Sequence, residues 1–434
     1  MNTHLSSYLD LLQSSTSLRW QGHVRQVTGG IVESEGPPCC LGECCETRDS
    51  TGHVYPGEVV GFRGNSVLMM PLEKPRGVRF GDPVFAFGAR PHVGVGEQLL
   101  GRVIDGAGEP MDGGGMLSFR ERRSLEMPAP GALERPPIRE PLGCGIRAID
   151  AFMTCGRGQR IGIFGGSGVG KSTLIGMMAR GTAAELTVLG LIGERGREVG
   201  EFLQILGSEG RARCAVVVST SDQSPLLRIR AALTATAVAE YFCQKGKHVL
   251  LVIDSLTRFA MAQREIGLAA GEPPTAKGYT PSVFSLLAQL VERAGRFARG
   301  SITAFYTVLM EGDDLQDPLV DAVRALLDGH VVLDRALAAE GHYPPIAVLD
   351  SLSRLMPAVT SPEHLARAQQ LRALLAAYQR SQDLVRIGAY NRGGDPLLDR
   401  ALAALPQIQE FLRQRPEEVA PFQSTIGSFL GLGS

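Results

Sequence analysis

Four textures of hydrophobic and polar positions follow one another along the chain, and each predicts a different architecture. Within 1–20, Leu5, Tyr8, Leu9 and Leu12 fall at i, i+3, i+4 and i+7, the single apolar stripe of an amphipathic helix. Such a stripe suits docking to a partner and folding back on its own domain equally well. From 21 to 90 the pattern changes to short β-rich runs at 23–27, 58–62 and 66–70, punctuated by Gly, Pro and Asn, which predict a small N-terminal β-barrel. Residues 91–140, with Asp112-Gly113-Gly114-Gly115 and Arg135-Pro136-Pro137, read as a connection into the core.

From 141 to 359 the apolar runs lose their alternation. Those at 161–164, 187–192, 215–219, 248–254, 302–309 and 330–333 are continuous, with helical stretches between most of them, and so predict parallel strands covered on both faces. This is an α/β unit. Ser361-Pro362-Glu363 then offers a helix start with proline at the first helical position, and Leu365, Ala368, Leu371, Leu375 and Tyr378 continue it into a C-terminal helical domain, 360–434.

With 434 residues and 44% apolar composition the chain has ample core for three domains, and disorder is excluded. Its 44 basic and 45 acidic residues balance, so no global field favours nucleic acid or an anionic membrane. No apolar run approaches the ~20 residues of a membrane span, and no leader is readable at the start, so the expected location is cytoplasmic. Cys39-Cys40 and Cys44-Cys45 are adjacent pairs that would point to opposite faces of a strand, a poor zinc knuckle, so these and Cys144, Cys155, Cys214 and Cys243 read as buried apolar side chains.

The chemistry is concentrated in the α/β unit, 141–359. Gly165, Gly166, Ser167, Gly168, Val169, Gly170, Lys171, Ser172 and Thr173 lie between an apolar run and a helical one, the context of a phosphate-binding loop. Its glycines let successive N–H groups converge where the following helix presents its positive end, Lys171 adds a charge for the β/γ-phosphates, and Ser172 a hydroxyl for Mg²⁺. The chain therefore grips a nucleoside triphosphate. The run 248–254 is an apolar strand ending in Asp254, the Walker-B form, suited to the metal's water shell. If the strand ending at Glu194 neighbours the phosphate-loop strand, Glu194 can orient an attacking water; otherwise it pairs with Arg195 or Arg197 on a solvated edge.

GGSGVGKS, GERGREV, LLVIDSLTRFA, GEPPTAKGYTPSVF, YTVLMEGDD and HYPPIAVLDSLSR, in this order, resemble the export ATPases of bacterial flagella and type III secretion systems, relatives of the catalytic subunit of rotary ATP synthases. The resemblance covers nearly the whole chain, and GFRGNSVLMMPLE with AYNRGGDP tilts it toward the flagellar branch. It implies a β-barrel, a RecA-like P-loop ATPase domain and a helical domain, assembled as a homohexamer with ATP and Mg²⁺ at subunit boundaries. It further implies that Glu194 activates water, Arg195 helps hold the triphosphate, and Arg354 is an arginine finger given to the neighbour. Tyr343 and Phe422 match the aromatic walls around adenine. The loop 272–279 matches one facing the central hole, where a stalk protein would touch, and Asp313, Asp314 and Asp317 belong to a shared motif of unassigned role.

The implied output is export of flagellar proteins, delivered as chaperone–substrate complexes to a membrane gate, with only peripheral membrane association. A regulatory stator-like protein would bind the N-terminal helix. The doubled cysteines and the short lead-in to the barrel depart from the family pattern. A virulence-type secretion ATPase is the alternative, followed by a rotary synthase subunit and an RNA-translocating hexamer; the last would need basic and stacking residues that the barrel region lacks.

Overall fold

The computed structural model describes residues 20–310, 312, 314 and 317–432. The apolar stripe from Leu5 to Leu12 and the acid Asp313 lie outside the described residues.

The β-rich region closes on itself as a six-stranded barrel. Its strands run in the order Trp20–Thr28, Ile31–Glu35, Ser66–Pro71, Val54–Arg63, Cys44–Arg48 and Pro83–Ala86, the last pairing back onto the first. Alternation decides what fills it. Val24, Val32, Cys45, Val59, Val67, Met69 and Val84 point inward and form the barrel's own core. The cysteine cluster is only partly the buried set expected: Cys45 is enclosed, Cys39 and Cys44 are half-buried and Cys40 is exposed. The reason is local, because Cys44 and Cys45 lie on opposite faces of one strand and Cys39 and Cys40 precede it in a loop.

The central domain is built on a nine-stranded sheet. From one edge the order is Leu352–Ser353, Gly329–Val332, Arg160–Gly165, Ser301–Leu309, His248–Asp254, Leu186–Glu194, Cys214–Thr220 and Val103–Asp105, with Gly295–Arg296 attached to Ser301–Leu309. Its long strands are buried along nearly their whole length, as continuous apolar runs require. The edge strand Val103–Asp105 comes from the stretch read as connection; it pairs in parallel with Cys214–Thr220 at Val216 to Val103. Helices Lys171–Gly181, Gly196–Ala212, Pro225–Gln244, Leu256–Ala270 and Pro281–Glu292 separate the strands. All strand carboxyl ends that precede these helices face one way, so loops at that end converge.

Helices Pro362–Arg386, Pro396–Leu412 and Phe422–Leu430 form the C-terminal unit. Ser361 caps the first, its Oγ accepting from the His364 N–H at 3.2 Å, and Asp395 caps the second. They dock on helix Arg147–Phe152, where Phe429 packs edge-on against Phe152 and His364 Nε2 donates to the Ala151 carbonyl at 2.7 Å. Since a carbonyl only accepts, Nε2 carries the proton.

Candidate nucleotide site

Strand Arg160–Gly165 delivers the chain into the glycine-rich loop and helix Lys171–Gly181 takes it out. Gly168 and Gly170 hold φ of +76° and +102°, a region that penalises any Cβ even though open space surrounds both positions. The Lys171 ammonium donates to the Gly165 and Gly166 carbonyls at 2.8 and 2.6 Å, which folds the lysine over the loop where phosphate oxygens would compete for it. Val169 faces the other way and is buried in the core.

A cleft of about 370 Å³ opens over this loop. Ser167, Gly168, Gly170, Lys171, Ser172 and Thr173 line one side, and Glu194, Arg195, Asp254 and Arg258 the other. The strand ending at Glu194 does not neighbour the phosphate-loop strand, since Ser301–Leu309 and His248–Asp254 lie between them. Glu194 nevertheless reaches the same cleft, because all these strands end at one level of the sheet. Arg195 pairs with Glu198 at 3.8 Å and Arg197 with Glu201 at 3.6 Å, so the arginines beside Glu194 are engaged with the following helix.

Two carboxylates therefore share a confined volume. Asp254 is buried and accepts from Thr307 Oγ1 at 2.5 Å; burial pushes its pKa up, while the Thr307 hydrogen bond and the charge of Lys171 pull the other way. Glu194 is pushed up to about 8, first by burial, then by the charge of Asp254 and by hydrogen-bonded Glu198. Arg258, on the first turn of helix Leu256–Ala270, is the counter-charge that favours ionisation of both acids. The sequence reading did not single it out. Its signal was available, four residues past the Walker-B acid and therefore at the same end of the sheet.

A second hollow, of about 250 Å³, adjoins the first through Gly170 and Thr173. Half-exposed Tyr343, with Pro344, Pro345, Leu174, Met177, Gln414 and Pro416, lines it, and the Gln414 N–H donates to the Tyr343 carbonyl at 2.9 Å. This hollow beside the phosphate loop is mostly apolar. Phe422 is not among its lining residues; it opens helix Phe422–Leu430 with its Cβ against Gly143. Arg354 also stands apart. It is exposed on the edge of the sheet, just past Leu352–Ser353, and its N–H donates to the Asp328 carbonyl at 2.9 Å.

A parallel sheet with a phosphate loop, a buried acid two strands away and an adjoining apolar hollow defines a P-loop nucleotide-hydrolysing protein. Residues 145–353 match the model of the ATP synthase alpha/beta family nucleotide-binding domain, 24–88 its beta-barrel domain, and 360–429 the type III secretion EscN ATPase C-terminal domain. The flagellum-specific ATP synthase of Bacillus subtilis is 49% identical over 98% of both chains, and that of Salmonella typhimurium 47% identical over 98% of both. The SPI-2 type 3 secretion system ATPase of Salmonella typhimurium is 50% identical over 92% of both. The assembled ATPase EscN of the enteropathogenic Escherichia coli type III secretion system superposes with a TM-score of 0.91 at 44% identity, covering 95% of this chain and 100% of that one. The chain belongs to the family of flagellum-specific ATP synthases and type 3 secretion system ATPases, and it is an ATPase.

Proposed function

We propose that this chain forms a homohexameric ring that hydrolyses Mg-ATP to energise export of flagellar proteins, with each site completed by Arg354 of the adjacent copy. The observation that carries this reading is the meeting of Lys171, Glu194 and Asp254 in one cleft that the chain's own Arg354 does not line. A further solved structure holds EscN in complex with its central stalk EscO, which supports a stalk partner here, with the loop 272–279 as its point of contact.

The Ser172 hydroxyl and the buried Asp254 carboxylate are hard oxygen donors of the kind Mg²⁺ selects, so the residues fit the ion. Bound there, it would offset the charge of the triphosphate. The loop N–H groups and Lys171 hold the β- and γ-phosphates, and Tyr343 supports the base. Glu194 accepts a hydrogen bond from the attacking water and turns its lone pair toward the γ-phosphorus. Arg195 reaches the triphosphate from the rim. Arg354 of the adjacent copy steadies charge spreading on the γ-phosphoryl oxygens, an effect worth a factor of about 10³ or more. Glu194→Gln keeps the shape of the cleft and removes the carboxylate that can take up the water's proton. It should retain thermal protection by ATP while phosphate release falls to background; unchanged release would remove Glu194 from this role.

A secretion ATPase is 50% identical over 92% of both chains, against 49% over 98% for a flagellar one, so a virulence-type output is the second reading. Expression in a strain lacking its flagellar export ATPase decides between them: restored swimming supports the first reading, and no swimming despite stable expression supports the second. Both readings place the ring in the cytoplasm, peripheral to the inner membrane at the export gate, loaded by chaperone–substrate complexes and held by a stator-like protein at the N-terminal segment.

A further inference from the structure

A buried polar cluster ties the segment carrying Arg354 to the root of the phosphate-loop strand. Gln159 directly precedes strand Arg160–Gly165 and is fully enclosed. Its Oε1 accepts from the Gly156 N–H at 2.8 Å, which fixes the amide orientation and aims Nε2 at two acceptors. These are the Asp328 carbonyl at 3.1 Å and Ser353 Oγ at 3.0 Å. Ser353 Oγ in turn donates to the Thr154 carbonyl at 2.9 Å. Every hydrogen-bonding atom of both side chains is committed.

The same Asp328 carbonyl that accepts from Gln159 accepts from the Arg354 N–H at 2.9 Å. The Asp328 carboxylate is bound in turn by the N–H and guanidinium of Arg160 at 3.1 Å each. A Cβ at Gly329 would sit 2.5 Å from the Leu352 carbonyl and 3.3 Å from Gln159 Nε2, so the segment lies hard against the sheet there. On the far side, half-buried Arg372 of helix Pro362–Arg386 donates to the Ser351 carbonyl at 2.7 Å. The segment leading into Arg354 is therefore held by side chains at Ser351 and Ser353 as well as by sheet pairing, which covers only Gly329 to Ser353 and His330 to Leu352.

We infer that Gln159 and Ser353 are positioning residues for Arg354, making the phosphate-loop strand of one copy and the arginine it offers to the next a single hydrogen-bonded unit. An arginine finger works only at a fixed place, and an error of about 1 Å in such a group costs up to about 10²-fold in rate. Any shift of strand Arg160–Gly165 on nucleotide loading then reaches the neighbouring site through Gln159. The inference rests on the trans role of Arg354 proposed above.

The test uses the full chain with Gln159→Leu and, as the milder change, Ser353→Ala. Each should lower kcat by about ten- to a hundredfold while KM for ATP and thermal protection by ATP stay within about twofold of the parent. Complementation separates positioning from general damage. Mixed with Lys171→Ala chains, whose own sites are dead but whose arginines are intact, each variant should exceed the mean of the two separate preparations. Mixed with Arg354→Ala chains, neither should. Unchanged kcat in both variants, or gain with both partners or with neither, overturns the inference. The pair Arg354→Ala plus Lys171→Ala is the control: its failure to gain activity removes the trans role itself and the inference with it, whereas its success alongside failure of the Gln159 and Ser353 mixtures removes the inference alone.

Discussion

At the scale of the residue, Glu194 sits in an environment far from the one its chain neighbours suggest. Its ordinary carboxyl pKa of 4.5 rises to about 8 because it is partly buried beside Asp254 and Glu198. A group held protonated by the fold stabilises the fold below its unfolded pKa, and that contribution is lost as pH climbs through the folded value. In nucleotide- and metal-free buffer, Glu194→Gln should therefore melt with the parent near pH 4.5 and progressively above it as pH rises toward 8, where the difference levels off. Thermal melts of the pair across that range check this; parallel curves would mean that Glu194 ionises freely in the cleft. The phosphate loop was legible because glycine, lysine and serine at fixed spacing have few other uses. The partner of Glu194 was not, because adjacency of strands along a sheet is not written in any one segment, whereas Arg258 could have been read from its place four residues past the Walker-B acid.

At the scale of the element, six continuous apolar runs were enough to find the parallel strands, since burial on both faces removes polar alternation from the sequence itself. Strand Val103–Asp105 could not be found this way: three residues carry no period, and its pairing to Cys214–Thr220 is a contact made only in the folded chain. Contacts of that kind also join barrel to core. Glu58 of strand Val54–Arg63 pairs with Arg230 of helix Pro225–Gln244, both nearly enclosed, with Cys44 beside the guanidinium. Burial raises the Glu58 pKa even with Arg230 opposing it, so the arginine is what makes the buried acid tolerable. Arg230→Met should then cost about 3 kcal/mol in urea unfolding, and Glu58→Leu on the same chain should recover much of it, because a lone buried charge is worse than an apolar pair. A double variant no more stable than Arg230→Met would show that the pair holds the barrel in some way apolar contact cannot replace.

At the scale of the whole molecule, the positions of the phosphate loop and Arg354 argue that one chain is half a machine. Val332 lies level with Phe164 in the parallel register, at the end of the sheet where the phosphate loop begins. Arg354 is hydrogen-bonded to Asp328, four positions back along the chain and so roughly 13 Å toward the opposite end. An arginine side chain spans about half that distance, and strand Gly329–Val332 stands between it and its own loop. Arg354 is instead exposed at the sheet edge, where, on the function proposed above, a second molecule would use it. Turnover should then depend on assembly while binding does not. Across a dilution series, ATP consumed per chain should fall steeply once light scattering reports single chains, with nucleotide protection in thermal melts surviving because Lys171 and the loop amides belong to each copy. The Arg354→Ala chain, fully assembled at high concentration, should resemble the diluted parent in both respects. Turnover per chain that stays constant through the dissociation range would mean that each cleft is complete by itself and that the edge arginine serves some purpose other than catalysis.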